Sequence, residues 1–221
     1  MKRILFVLPA LLLTTSLKAE LHIFTDVEGR KISAEIETAD ETGVSVKLKD
    51  GRKARIANDR LSPPDVTYVT EWRAAQAKAE KQKAKAEASA KRAAEIPVKI
   101  VAFCKANHGK QVGNGECWTL ANEAFKACGL KRPGKDLRVW GRLLDLKKEK
   151  PQPGDIVEYR SAKFRDGSMT GPEHTSVVIK GGKRGAITIA EQNWGGNKTV
   201  RETLLDPGSL VRGEIMIYRP E

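Results

Sequence analysis

The sequence predicts two folded domains of different class, a small all-β domain followed by a larger α+β domain. Three observations predict this division. Between residues 21 and 56 apolar and polar residues alternate, the period of half-buried strands. Beyond residue 97, two stretches with helical spacing precede four β-type runs. Residues 74–95, "AAQAKAEKQKAKAEASAKRAAE", contain no Leu, Ile, Val, Phe or Met and separate the two patterns.

The first nineteen residues belong to neither domain. Lys2 and Arg3 precede the apolar run Ile4 to Leu13, and small and polar residues lead to Ala19, the layout of a secretory signal peptide. Leu17 stands where a smaller residue is usual, which could displace processing by a few residues. The run is shorter than the roughly 20 residues of a bilayer span, so the expectation is an exported protein, secreted or periplasmic, without a stable membrane span. Charge is uneven along the chain. Residues 20–70 carry 8 basic and 10 acidic residues, residues 71–96 carry 7 and 4, and residues 97–221 carry 22 and 14. The basic excess favours an anionic partner such as a cell-wall polymer. Export, together with the lack of zinc-finger spacing, RNA-binding aromatic signature or helix-turn-helix pattern, excludes nucleic acid from the expected partners.

In the first domain, residues 20–73, the strand runs are "LHIFT", "KISAEIE", "VSVKLK" and "KARIA", with Asp50-Gly51 as a tight hairpin turn. "LSPPDVTYVTEW" then places Ser62 as a cap and Pro63 in the first turn of a helix. The expected form is a small barrel of about five strands closed by that helix. Residues 74–96 read as a solvated helical linker, of which 74–95 would be about 33 Å long if fully helical. Pro97 opens the second domain, 97–221. There "VKIVAFCKANHG" and "GNGECWTLANEAFKACG" have helical spacing, the latter with Gly129 as its C-cap. The pattern allows a third short helix over 138–147. "GDIVEY", "HTSVVIK", "AITIAEQ" and "EIMIYR" then read as antiparallel strands.

Chemistry concentrates in the second domain. Cys117 falls in the first turn of its helix, where unpaired N–H groups and the dipole favour a thiolate. Gly113 and Gly115 let the backbone approach a ligand closely. His174 begins a strand and is the candidate base, while Glu191 and Asn193 are candidates to fix its tautomer. Pairing residue 180 with 185 would set His174 against Glu191, whereas a slip by one would turn Glu191 to the other face. Gln111, six residues before Cys117, is the candidate oxyanion donor, and Trp118 and Trp194 are placed to flank a cleft. His108, His174 and Cys117 supply no local metal-ligand pair, so no metal or cofactor is expected. Three cysteines are an odd number for an oxidising compartment; if Cys104 and Cys128 pair, Cys117 is free.

Two resemblances follow from these motifs. "FTDVEGRKISAEI", "VSVKLKDGRKARI" and "LSPPDVTYVTEW" resemble the small SH3-like homology domain first described in a yeast actin-patch adaptor, which implies a binding or spacing module. "QVGNGECW", Gly154-Asp155, "HTSVV" and Glu191 to Asn193 resemble the CHAP family of papain-like cysteine amidohydrolases and peptidases over about 98–220. That resemblance implies Cys117 as nucleophile, His174 as base, Glu191 or Asn193 as its orienter, and Gln111 as oxyanion donor by the papain pattern. The substrate it implies is a peptide or peptidoglycan-like amide. Glu116 beside the thiol and the long segment "SAKFRDGSMTGPE" depart from the pattern. Two rivals stand beside hydrolysis: a wall- or surface-binding protein without turnover, and a transglutaminase-like acyl transferase.

Overall fold

The structure is a computed structural model that describes residues 20–133, 136, 138–181 and 185–221. The expected leader, 1–19, lies outside the described residues. The chain divides into two compact units between Lys85 and Ala86.

In the first unit β1 (His22–Thr25), β2 (Lys31–Ala39), β3 (Gly43–Leu48) and β4 (Lys53–Ala57) form an antiparallel meander in chain order. Among the described residues four strands form where about five were expected. Alternation decides the faces: Ala34, Val44 and Val46 are buried and meet Phe24, Leu61 and Val69 in one core. The Asp50-Gly51 turn forms, with Gly51 at φ +86° and its N–H donating to Leu48 O at 2.9 Å. His22 bonds Asp65 at 2.6 Å and stacks on Tyr68.

A single helix, α1 (Pro63–Ala106), runs through what the sequence divides into a closing helix, a linker and a domain-opening helix. Pro97 is inside it rather than at a boundary. A proline there removes one backbone bond, at a cost of about 3 kcal/mol. The Ala/Lys/Glu-rich flank has high helix propensity, and burial of Ile96, Ile100 and Cys104 offsets the loss.

The second unit packs the end of α1 and α2 (Cys117–Ala127) on a six-stranded sheet. Its strands are β5 (Arg142–Leu143), β6 (Ile156–Phe164), β7 (Glu173–Gly181), β8 (Ile187–Glu191), β9 (Arg201–Leu205) and β10 (Leu210–Arg219). The order is β5-β10-β6-β7-β8-β9, with antiparallel neighbours throughout. Ile156, Val177, Ile179 and Ala190 meet the helices on one face, while Val157, Tyr159, Val178 and Ile189 build a second core on the other. Burial on both faces is why "GDIVEY" and "SVVIK" read as apolar runs. The helix that the pattern allows over 138–147 does not form. Gly141 has φ +145°, and a Cβ there would lie 2.2 Å from Arg219 O, so this segment runs against β10 as β5. Cys104, Cys117 and Cys128 are all free thiols, so no disulfide joins Cys104 to Cys128.

The β7–β8 register differs from the expected one. The ladder begins at Gly181 opposite Ile187 and Lys180 opposite Thr188, then a bulge intervenes, and Val178 faces Ile189 and Val177 faces Ala190. Without the bulge, Val177 would oppose Glu191 and the carboxylate would turn toward the helices. The extra residue restores parity, so Glu191 returns to the face that carries His174.

Candidate active site

α2 starts at Cys117, with Glu116 extended before it and no side chain capping the first turn. Thr119 N donates to Glu116 O at 3.0 Å, whereas the N–H groups of Cys117 and Trp118 make no hydrogen bond among the described residues and are available to a ligand. The preceding loop is tight. Gly113 and Gly115 have φ of +57° and +81°, and a Cβ on Gly115 would lie 2.9 Å from Lys198 Cδ and 3.1 Å from Gln111 Cδ. Only glycine fits there without strain.

Gln192, fully buried, ties this loop to the end of β8. Its Oε1 accepts from Val112 N at 3.1 Å, and its Nε2 lies 2.9 Å from Val112 O, 2.8 Å from Glu116 O and 2.8 Å from Thr119 Oγ1. Gln192 stands between two expected site residues, Glu191 and Asn193, and is not itself among them. Its signal is nevertheless there, because period-2 alternation sends neighbouring residues 191 and 192 to opposite faces.

His174, nearly buried, lies opposite Tyr159 in the β6–β7 ladder. Its Nε2 pairs with Glu191 Oε2 at 3.0 Å. Cys117 at the start of α2 stands close enough to act on the same imidazole. Burial alone would lower the histidine's pKa, but the contacts with Cys117 and Glu191 outweigh it and raise the value to about 9. Glu191 is fully buried and satisfied at its other oxygen, where Arg201 Nε donates at 3.1 Å and Thr203 Oγ1 at 2.8 Å. The Trp194 ring stands edge-on to the imidazole, with centroids 5.0 Å apart.

The remaining expected site residues lie elsewhere. Asn193, at φ +62°, donates from Nδ2 to Glu116 Oε2 at 2.9 Å, so its amide serves the loop and not the imidazole. Gln111 is exposed and donates to Gly113 O at 3.4 Å, a bond within its own loop.

A cleft of about 520 Å³ adjoins the thiol, lined by Cys117, Trp118, Arg132, Glu158, Glu173 and Thr175, with Asp136 and Arg138 at its edge. Glu158 had no place in the sequence reading, since its neighbours in "GDIVEY" signal a strand and nothing more. It is 3% exposed, and burial, partly countered by bonds from Trp140 and Thr175, pushes its carboxyl up to about 7.

Helices packed on an antiparallel sheet, with a cysteine at a helix start facing a histidine on the sheet, define a papain-like cysteine proteinase fold. The chain belongs to the AIM3/BBC1 cysteine proteinase-fold domain family, whose model matches residues 74–221. It is 32% identical over 147 residues to Altered inheritance of mitochondria protein 3 of Debaryomyces hansenii, covering 55% of this chain and 15% of that protein. The chain thus spans about 15% of that relative's length. Among solved structures it is similar to Ly7917 with the hydrolyzing product of MDP (TM-score 0.40, 19% identity, 56% of this chain and 63% of that chain). It is also similar to an NlpC/P60 family protein from Bacillus cereus (TM-score 0.36, 14% identity, 90% and 60%).

Proposed function

We propose that the second unit is a cysteine hydrolase of amide bonds, related to CHAP and papain-like enzymes, with Cys117 as nucleophile, His174 as base and acid, and Glu191 as the residue that orients the imidazole. The observation that carries this reading is the buried His174, held by Glu191 at 3.0 Å and close enough to Cys117 for the thiol to influence its titration. In the proposed cycle the Cys117 sulfur attacks the carbonyl carbon, and the proton it gives up resides on His174. The oxyanion takes the uncapped N–H groups at the start of α2, and His174 protonates the departing amine. Water activated by His174 then hydrolyses the thioester. A peptide, or a peptidoglycan-like amide if residues 1–19 direct export, fits this chemistry. The first unit is read as an SH3-like binding or spacing module on its strand pattern.

One observation favours the rival reading of a binding domain without turnover: Gln111 bonds Gly113 rather than standing as an oxyanion donor. Alkylation by iodoacetamide, followed at the Cys117 peptide by mass spectrometry, decides between them. The enzyme reading expects Cys117 to react at least about tenfold faster than free glutathione at pH 7, and His174→Ala to remove that advantage. Equal rates with and without His174 would overturn it.

A further inference from the structure

The cleft beside Cys117 has a floor that the proposed chemistry does not use. Glu158, on β6, is almost wholly buried, yet it is bonded at one oxygen only. Trp140 Nε1 and Thr175 Oγ1 both donate to Oε1, the latter at 2.8 Å. Oε2 accepts no bond among the described residues, and it is not among the buried polar atoms that lack a partner, so it opens to the cleft that Glu158 lines. A carboxylate oxygen in that position can exchange water for a donor on a ligand, and a bond to a charged donor is among the stronger ones.

The surrounding charges indicate which donor. Two further carboxylates, Glu173 and Asp136, border the cleft, against Arg132 and Arg138. Arg138 is already paired with Glu173 at 2.9 Å, and the Arg132 guanidinium lies over the Trp118 and Trp140 rings, 5.2 and 4.7 Å from their centroids. Arg132 also interacts with the Glu158 charge, but three carboxylates against two guanidiniums leave the lining one negative charge in surplus. Trp118 is 39% exposed at the rim and offers an apolar face to whatever enters.

We propose that Glu158 is the anchor of a subsite for a primary alkylammonium group, as on a lysine-like side chain, with the alkyl stem along Trp118 and the ammonium donating to Glu158 Oε2. The proposal rests on the reading of Cys117 as the reacting thiol. It makes the domain selective for amides that carry an amine near the bond attacked. Only the ionised carboxylate attracts an ammonium, and since the Glu158 carboxyl is held near 7, selectivity grows as pH rises through about 7. The groups around it are Glu173 and His174 of β7, Tyr159 of β6, Tyr218 of β10, Cys117 of α2, Asp136 and the two arginines already named; of these Glu173 raises its pKa, His174 lowers it, and Arg132 interacts with its charge.

Two isosteric reagents test this on the full chain: N-(5-aminopentyl)chloroacetamide and N-hexylchloroacetamide, which differ by an ammonium in place of a methyl group. Thiolate displaces chloride from either, and alkylation is read at the Cys117 peptide. At pH 8 the amine reagent is expected to react about tenfold faster than the hexyl one, the worth of one charge-assisted bond. Below pH 6 the ratio is expected to fall toward one. Glu158→Gln retains an Oε1 that accepts from Trp140 and Thr175 and is expected to bring the pH 8 ratio to about one, with folding checked by its thermal melt. Equal rates in the parent protein, an absence of labelling by either reagent, or a preference that survives Glu158→Gln or lowering of the pH would overturn the subsite. Iodoacetamide separates the levels: if its His174-dependent reaction with Cys117 persists, only the subsite falls, and if that dependence is missing, the hydrolase reading falls with it.

Discussion

His174 holds its proton through two neighbours of different kind, a buried carboxylate and a sulfur, and this sets its titration. Its pKa of about 9 lies above the ordinary 6.5, so these contacts contribute stability that is fully present below about pH 6.5. That contribution is lost as pH rises through about 9. The chain has three histidines, His22, His108 and His174, so imidazole resonances can be assigned by single replacements. NMR titration is expected to show His174 near 9, and Glu191→Gln, which keeps the shape but removes the charge, should lower it toward 6.5. A value that does not move would mean that Glu191 is only a packing partner. The Glu191 carboxylate also accepts from Arg201 and Thr203, which fix its orientation independently of the histidine.

At the scale of elements, the site depends on where two of them end. The β7–β8 ladder carries Glu191 to His174 only because one bulged residue restores the facing that the turn had inverted. α2 is held at its start by Gln192, whose amide closes a two-way bond with the Val112 backbone. Gln192→Glu would replace two donors by an acceptor facing Val112 O and Glu116 O. The expected loss is about 3 kcal/mol in urea unfolding, with slower Cys117 alkylation under conditions where the variant is still folded. Unchanged stability would show that the loop is held by the Gly113 and Gly115 turns alone.

For the whole molecule, the sequence's legibility follows from the range of each signal. Strands β1 to β4 and the α2 helix were legible because period and turn residues are local. Cys117, His174 and Glu191 were legible because each stands at the end of a patterned element, where chemistry is commonly placed. The single α1 helix was not, since Pro97 and the change of composition look like boundaries until burial of Ile96 and Ile100 is known. The 138–147 segment has a helix-compatible pattern, but Gly141 approaches the Arg219 carbonyl, a contact between residues 78 positions apart in the chain. Glu158 was hidden for the same reason: that an acid within a β run is buried against Trp140 and opens to a cleft is a property of the assembled unit. Bulges carry no local signature either, so the β7–β8 register could be placed on the right face only through a wrong pairing.

Glu191 and Gln192 are consecutive residues, and they reach the two halves of the site from opposite sides of one strand end. β8 therefore acts as a caliper, and the spacing between thiol and imidazole is written in a single peptide unit. Chemical competence and local folding should disappear together. On warming, enhanced alkylation of Cys117 is expected to vanish at the same temperature at which the backbone amides of β8 lose protection from hydrogen exchange. A reactive thiol that outlasts that protection would show that the two halves find each other without the strand.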